Sequence, residues 1–370
     1  MTSWRDRRIE DLLGIELPII QAPMVGSALA EMAIAVSEAG GLGSLACALL
    51  SAEELEQQLD QIHRGTQRPV NLNFFCHRPP QADPEREARW RARLEKYYVE
   101  FRVDPDAPTT GASRAPFDAA IWEAVARFRP KVVSFHFGLP APELLARVKA
   151  AGAKVLSSAT SVEEAVWLES RGCDAIIAQG AEAGGHRGVF LTEEISTQVG
   201  TIALVPQIID AVKVPVIAAG GIGDARGIVA AFALGASAVQ LGTAYLYCPE
   251  ARISPAHRIA LRTAKDNGTA LTNVFTGRPA RAIVNRLMRE VGPIYDDVPG
   301  FPLAAGALAP LRSKPEAIES GDFIPLWSGQ AARLGRELPA GELTRTLAAE
   351  ALALLAALKG NANSCRPARS

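Results

Sequence analysis

The feature that most constrains the fold is a series of eight short, nearly continuous apolar runs, spaced by helix-like segments, across the first 250 residues. They lie at 17–21, 42–45, 70–75, 132–135, 154–157, 175–179, 216–219 and 238–241. A strand with one wet face alternates apolar and polar residues, whereas a strand covered on both faces does not. Such runs therefore read as a parallel sheet with helices outside it. Parallel neighbours need a crossover of a dozen or more residues, and the helical intervals supply one each time. Eight units of this kind predict an α/β chain folded as a (β/α)8 TIM barrel.

Helix punctuation agrees with this count. Ser51 and Ser161 are each followed three residues later by glutamate, Glu54 and Glu164, the spacing of a capping box. Gly172 stands where the second of these helices should stop. Two stretches break the rhythm. Residues 78–129 are an insertion after the third strand, rich in charge, proline and aromatics, expected to form one or two helices at the barrel mouth. Residues 252–359 are expected to be an irregular helical extension ending in an Ala/Leu-rich helix over 343–359, with a frayed tail at 360–370. The whole of 1–370 reads as a single domain with decorations.

Charge and cysteine usage narrow the function classes. With 39 Lys+Arg against 40 Asp+Glu, nothing points to nucleic acid or an anionic membrane surface. Five scattered cysteines without a C-x-x-C pair suit a reducing, cytoplasmic setting. Five histidines without H-x-x-x-H spacing or clustered carboxylates argue against a metal site. Residues 228–249 carry no charged side chain and could span a bilayer by length, but Gly235 and Gly242 divide them. They read better as a buried helix running into a buried strand.

The chemistry is concentrated in residues 179–188, QGAEAGGHRG, directly after the sixth run. A polar, glycine-rich loop at the C-terminal end of a barrel strand is where such folds place their active sites. Gly184 and Gly185 allow the backbone close to a flat ligand, Gln179 adds an amide, and His186 stands at the edge as an acid/base residue. Residues 216–227, VIAAGGIGDARG, pass from a strand through Gly220-Gly221 into a helix, and Gln240-Leu241-Gly242-Thr243 makes a second turn after the eighth run. Exposed amides at such turns and helix starts grip anions, phosphate above all; the alternative is that the glycines merely make tight turns. Neither Rossmann nor Walker A spacing is present.

Other candidates carry alternatives of their own. Gln21-Ala22-Pro23-Met24 ends the first run in an extended segment with a soft side chain, suited to an isoalloxazine face or simply to the core. Asn71 and Asn73 share one face of the third strand, where a ligand or polar core neighbours must satisfy them. His136, between Phe135 and Phe137, rivals His186 as acid/base, or is a satisfied core histidine. His63 and His257 read as surface residues and His77 as lining the entrance.

Taken together, QAPM at 21–24, Asn73-Phe74-Phe75, QGAEAGGHRG, Ala219-Gly220-Gly221-Ile222 and Gln240-Leu241-Gly242-Thr243 resemble the nitronate monooxygenase family, formerly the 2-nitropropane dioxygenases. Ser134-Phe135-His136-Phe137-Gly138 and Trp327-Ser328-Gly329-Gln330 look like its class I branch. The resemblance implies FMN held by Asn73, Gln179, Gly184, Gly185, Gly220, Gly221 and the turn Gln240, Leu241, Gly242, Thr243. It also implies Ala22, Pro23 and Met24 beside the ring, and His186 as the catalytic residue. The implied reaction takes an alkyl nitronate or nitroalkane and O2 to a carbonyl compound and nitrite. Flavin-type enoyl-acyl-carrier-protein reductases share the QAPM-like and GGH motifs, so an NAD(P)H-dependent flavin reductase, of that or the quinone type, is the alternative. The sequence leaves the oligomeric state open, with a homodimer among the options.

Overall fold

The computed structural model describes Trp4 and residues 6–106 and 114–364. Its strands, in chain order, are β1 (Ile19–Gln21), β2 (Gly43–Ala46), β3 (Val70–Phe75), β4 (Val132–His136), β5 (Lys154–Ala159), β6 (Ala175–Gln179), β7 (Gly185–His186), β8 (Val216–Ala219), β9 (Ala238–Leu241), β10 (Thr269–Thr272) and β11 (Ala280–Ile283). Eight of them pair in parallel in the order β1-β9-β8-β6-β5-β4-β3-β2. The two ends of this sheet meet: Gln21 N–H donates to the Leu42 carbonyl (2.9 Å) and Leu42 N–H to the Ile19 carbonyl (3.0 Å). The sheet is thus a barrel. The runs expected at 70–75, 175–179, 216–219 and 238–241 match β3, β6, β8 and β9 residue for residue.

The barrel is filled and plugged from below. Ile20, Leu42, Val132, Leu156, Ile177 and Ile217 pack inside it with Ile9, Leu13 and Ile15, so the N-terminal helix Arg8–Leu13 seals the bottom. Only the C-terminal ends of the strands are left for a ligand. Outside, the helices Ala30–Glu38, Ala52–Gly65, Ala119–Ala126, Pro142–Ala150, Val162–Ser170, Thr201–Ala211 and Ala225–Ala233 follow seven of the strands in turn.

The eighth ring helix corrects the reading of the C-terminal region. It is Ala340–Ser364, which packs against both Ala30–Glu38 and Ala225–Ala233. Leu343, Leu347, Ala348 and Ala351 enter the main core, and Thr344 pairs its hydroxyl with that of Tyr245 at 2.8 Å. The helix therefore starts before 343 and runs past 359; residues 365–370, with Cys365, lie outside the described residues. Its apolar side faces the two flanking helices, and that packing, not composition, fixes its extent.

Two further expectations are amended. The extension is not helical throughout, because β10 and β11 form an antiparallel hairpin that also pairs with β7, placing Ala280 opposite His186. Four-residue strands rich in alanine carry little period-2 signal, and the partner strand decides them. Likewise, only the first part of the 78–129 insertion decorates the barrel, since Ala119–Ala126 is the ring helix after β3. The helix Pro84–Phe101 instead builds a second core, in which Trp90, Leu94, Tyr97 and Tyr98 meet Phe275, Leu287, Met288, Leu308 and Phe323. Trp90 Nε1 donates to the Ala304 carbonyl (3.2 Å) and the Tyr98 hydroxyl to that of Ala307 (2.7 Å).

Both capping sites form, differently. Ser51 and Glu54 make the reciprocal box. Ser161 accepts from the Glu164 amide (3.2 Å), but the Glu164 carboxylate turns elsewhere. It accepts from Thr160 N–H (2.6 Å) and hydroxyl (2.8 Å), and from the amides of Phe190 (2.6 Å) and Leu191 (3.3 Å). This buried carboxylate ties the loop after His186 to the barrel. Glu164→Ala is expected to lower stability by about 2–4 kcal/mol, because buried donors lose their acceptor; a denaturant midpoint unchanged from wild type would contradict this.

No helix among the described residues is long and apolar enough to cross a membrane. The uncharged 228–249 stretch divides into the end of Ala225–Ala233, the strand β9 and the 3-10 turn Thr243–Tyr247. Cys47, Cys76, Cys173 and Cys248 are free thiols.

Candidate active site

A cavity of about 400 Å³ opens at the C-terminal ends of the barrel strands, within the usual range of ligand sites. Of the residues singled out from the sequence, Ala22, Pro23, Met24, Asn73, Gln179, Gly184, Gly185, His186, Gly220, Gly221, Gln240, Gly242 and Thr243 all line it. Leu241 does not. Strand alternation sends it to the opposite side from Gln240, into the outer core, and only its carbonyl works locally, accepting from Ala22 N–H (2.8 Å). Asn71 is also absent from the wall and donates to the Ser44 hydroxyl (3.0 Å) deeper in the barrel. Asn73, one layer higher, donates to the Ser134 hydroxyl (2.9 Å).

One end of the cavity presents backbone amides and an unpartnered side chain. Gly220 and Gly221 have φ of 111° and 71°, a backbone region where only glycine is unstrained. Among the described residues no backbone carbonyl accepts from the Gly221 or Thr243 amide. Gln240 Oε1 is buried without a partner, and a ligand donor would satisfy it. The helix Ala225–Ala233 does not share in this grip, contrary to the sequence reading. Asp224 already caps it, accepting from the amides of Arg226 (3.0 Å) and Gly227 (3.3 Å).

The loop 179–188 is held by its own polar residues. Gln179 Oε1 accepts from Gly188 N–H (2.7 Å), and its Nε2 donates to the His186 carbonyl (3.0 Å). Glu182 caps the helix Thr201–Ala211 through the Thr201 amide (2.9 Å) and hydroxyl (2.8 Å). Arg187 is buried, donating to the Gln179 carbonyl (2.9 Å) and to Gln198 (2.7 Å). Gln179, Glu182 and Arg187 are thus spent on architecture, leaving His186 as the loop's reactive side chain.

The histidines divide by their partners. His136 Nε2 lies 3.2 Å from the His186 carbonyl, which can only accept, so that nitrogen carries the proton. Its Nδ1 then accepts from the Ser158 hydroxyl (3.1 Å). Both nitrogens are used, and His136 is a satisfied core histidine that steadies His186. The Thr276 hydroxyl donates to the Arg278 carbonyl (3.4 Å), so His186 Nε2–H donates to Thr276 (2.9 Å). His186 Nδ1 keeps its lone pair and has no partner among the described residues. Phe301 and Trp327 flank the ring at centroid distances of 5.3 Å.

His257 is not a surface residue. It is buried, lines the cavity and donates from Nε2 to the Trp327 carbonyl (3.0 Å). His77 is buried as well, edge-on to Phe301 at 4.7 Å, behind the cavity wall. His63 is exposed, as expected.

Burial keeps this set of imidazoles neutral. It depresses His136 to about 3 and both His77 and His257 to about 4. His186 lies well below 6.5, first through burial and then through the charge of Arg114. Unfolded imidazoles protonate near pH 6.5. Below that pH the unfolded chain binds more protons than the folded one, so stability falls as pH falls. Tm is expected to drop by several degrees between pH 7 and pH 5, above the range of the carboxylates. A level Tm there would mean that these imidazoles charge freely in the folded state.

Several residues in or behind the wall escaped sequence reading. Thr276 and Arg114 stand in segments without a motif, and His257 was misread from its charged neighbours. Trp327-Ser328-Gly329-Gln330 was visible as a motif but not as a contact. Gly329 N–H donates to Thr243 Oγ1 (2.9 Å) and Gln330 N–H to the Glu182 carbonyl (3.0 Å), joining the far end of the chain to the histidine loop and the anion turn.

The fold and the site define a TIM-barrel enzyme with its chemistry at the open ends of the strands. The chain belongs to the nitronate monooxygenase family, whose profile matches residues 6–350. It is 44% identical over 345 residues to a nitronate monooxygenase of Pseudomonas aeruginosa, covering 93% of this chain and 98% of that one. Among solved structures it is similar to a nitroalkane oxidase from Streptomyces ansochromogenes, with a TM-score of 0.84 and 38% identity, covering 95% and 99% of the two chains. FabK from Thermotoga maritima follows at a TM-score of 0.72 and 27% identity, covering 97% and 100%.

Proposed function

We propose that the chain oxidises alkyl nitronates with O2 to a carbonyl compound and nitrite, using FMN held in this cavity. The observation that carries the reading is the pairing of His186, with its free Nδ1, and the anion turn at Gly220-Gly221 and Gln240-Thr243 in one cavity of a family member. The unpartnered Gln240 Oε1 and the open space beside Gly185 fit a polar, flat ligand. The phosphate belongs at Gly220, Gly221, Gly242 and Thr243. Asn73, Gln179, Gly184, Gly185 and Gln240 border the ring system, and Ala22, Pro23 and Met24 lie beside it. When bound, FMN supplies the one-electron and oxygen chemistry.

The chain's own residues hold, orient and move a proton. Thr276 fixes the His186 tautomer so that Nδ1 is a lone pair at any pH near neutrality. That nitrogen takes the α-proton of a neutral nitroalkane; a preformed nitronate has no such proton and makes no use of it. His136 and Gln179 hold the His186 carbonyl from below. Phe301 and Trp327 keep water from the imidazole, which is also what depresses its proton affinity. The barrel and its second core act in this reading as one unit.

The test is nitrite release from ethyl nitronate by the FMN-loaded enzyme in air, with NAD(P)H oxidation measured in parallel. Nitrite formed with matching oxygen uptake and no call on NAD(P)H is the expected result. Rapid NAD(P)H oxidation without nitrite would put a flavin reductase in its place.

A further inference from the structure

We propose that Arg114 is the specificity-determining cation of this site, pairing with the two oxygens of an anionic nitronate held beside His186. This rests on the nitronate reading above. Arg114 lines the cavity on its insertion side, yet makes no hydrogen bond or ion pair with any described residue. Four other buried or half-buried arginines are engaged: Arg187 and Arg281 on backbone carbonyls of the histidine loop, Arg278 on that of Val189, and Arg312 on that of Phe323. Arg252 also reaches the cavity, but it is exposed, where an unpaired charge costs little.

Arg114 is half-buried and has neither a hydrogen-bond partner nor a counter-charge among the described residues. Desolvation lowers its proton affinity, and no carboxylate offsets that. A half-buried guanidinium with no partner keeps its donors free on the cavity wall, where an anion can take them. Its charge is felt by His186, His77 and Arg312, each of which it makes harder to protonate. Arg114 and His186 line the same cavity, in a region of positive potential. His186 itself is neutral and cannot supply charge.

A nitronate spreads one negative charge over carbon and two coplanar oxygens, which suits the planar fork of a guanidinium. The parent nitroalkane has much the same shape and no net charge. Arg114 thus separates the two forms by charge, while His186 Nδ1 contributes only a lone pair.

Nitrate, a planar nitrogen oxyanion, is the probe. Its binding to the FMN holoenzyme is read from the perturbed flavin absorbance in wild type, R114K and R114Q. R114Q is expected to weaken nitrate binding about 10- to 100-fold and to raise KM for ethyl nitronate by a like factor. Its kcat should stay within about 3-fold, and neutral nitroethane, as substrate or competitive inhibitor, should bind within about 2-fold of wild type. R114K, with the charge but not the fork, should fall between. Unchanged nitrate affinity in R114Q would overturn the assignment. So would an equal loss for nitronate and nitroethane, which would mean shape and not charge. Loss of FMN from both variants would place Arg114 on the cofactor and overturn it too. If wild type released no nitrite from ethyl nitronate, the reaction would be misread, and nitrate binding would still decide the role of Arg114.

Discussion

His186→Asn is expected to keep FMN bound and to slow oxidation of neutral nitroalkanes by about 10²- to 10⁴-fold, the range for losing a positioned base. Asparagine can still donate to Thr276, so the loop should hold its place, but it offers no basic nitrogen to the cavity. Preformed nitronates need no proton removed and should lose much less. The wild-type pH profile carries a matching signature. Because His186 titrates well below 6.5, nitroalkane turnover should be level through neutrality and fall only in acid, where the lone pair is taken up. Nitrite release by the two enzymes, compared across pH, checks both points. A variant as fast as wild type on neutral nitroalkanes, with FMN retained, would remove His186 from the chemistry.

Gly184→Ala should be the most damaging single methyl group in the site. A Cβ there would stand 2.5 Å from the Gly329 nitrogen and 2.6 Å from the Ser328 carbonyl carbon. Both neighbours are backbone, so the segment carrying Trp327 or the loop carrying His186 must move. Overpacking of this kind costs about 1–3 kcal/mol, and turnover should drop by more than the stability loss alone would cause. Gly185→Ala is the control: its φ is 72° but its Cβ would meet nothing within 4 Å. Strain of about 1–2 kcal/mol is then the whole effect. Thermal melts and FMN retention of the two variants give the order; a milder Gly184→Ala would contradict the close packing of these two segments.

What could be read from the sequence follows from how local each signal is. β3, β6, β8 and β9 were legible because runs such as Val70–Phe75 are buried on both faces and say so in their composition. That Gly220, Gly221 and His186 line one cavity was legible because each stands at the C-terminal end of a barrel strand. Leu241 was misplaced by treating a turn as a unit, although the alternation of β9 sends it away from Gln240. Contacts over long separations carried no local mark. Thr276 reaches His186 across 90 residues and Gly329 reaches Thr243 across 86. Burial of His257 depends on Trp327, which its charged neighbours do not announce. The β10–β11 hairpin was missed because its definition rests partly on β7, a two-residue strand inside the catalytic loop.

The place of Ala340–Ser364 in the helix ring has a consequence for how the molecule is made. The barrel strands are complete once Leu241 is synthesised, but the groove between the first and seventh ring helices stays open until the last helix arrives. Some hundred residues come between, and they include Thr276, Trp327 and Gly329. On a ribosome the order is therefore fixed: the turns at Gly220-Gly221 and Gln240-Thr243 come first, then the partners of His186, and after them the helix that closes the wall. A chain stopped short of Ala340 has its barrel strands and cavity residues but leaves the core faces of Ala30–Glu38 and Ala225–Ala233 uncovered by that helix.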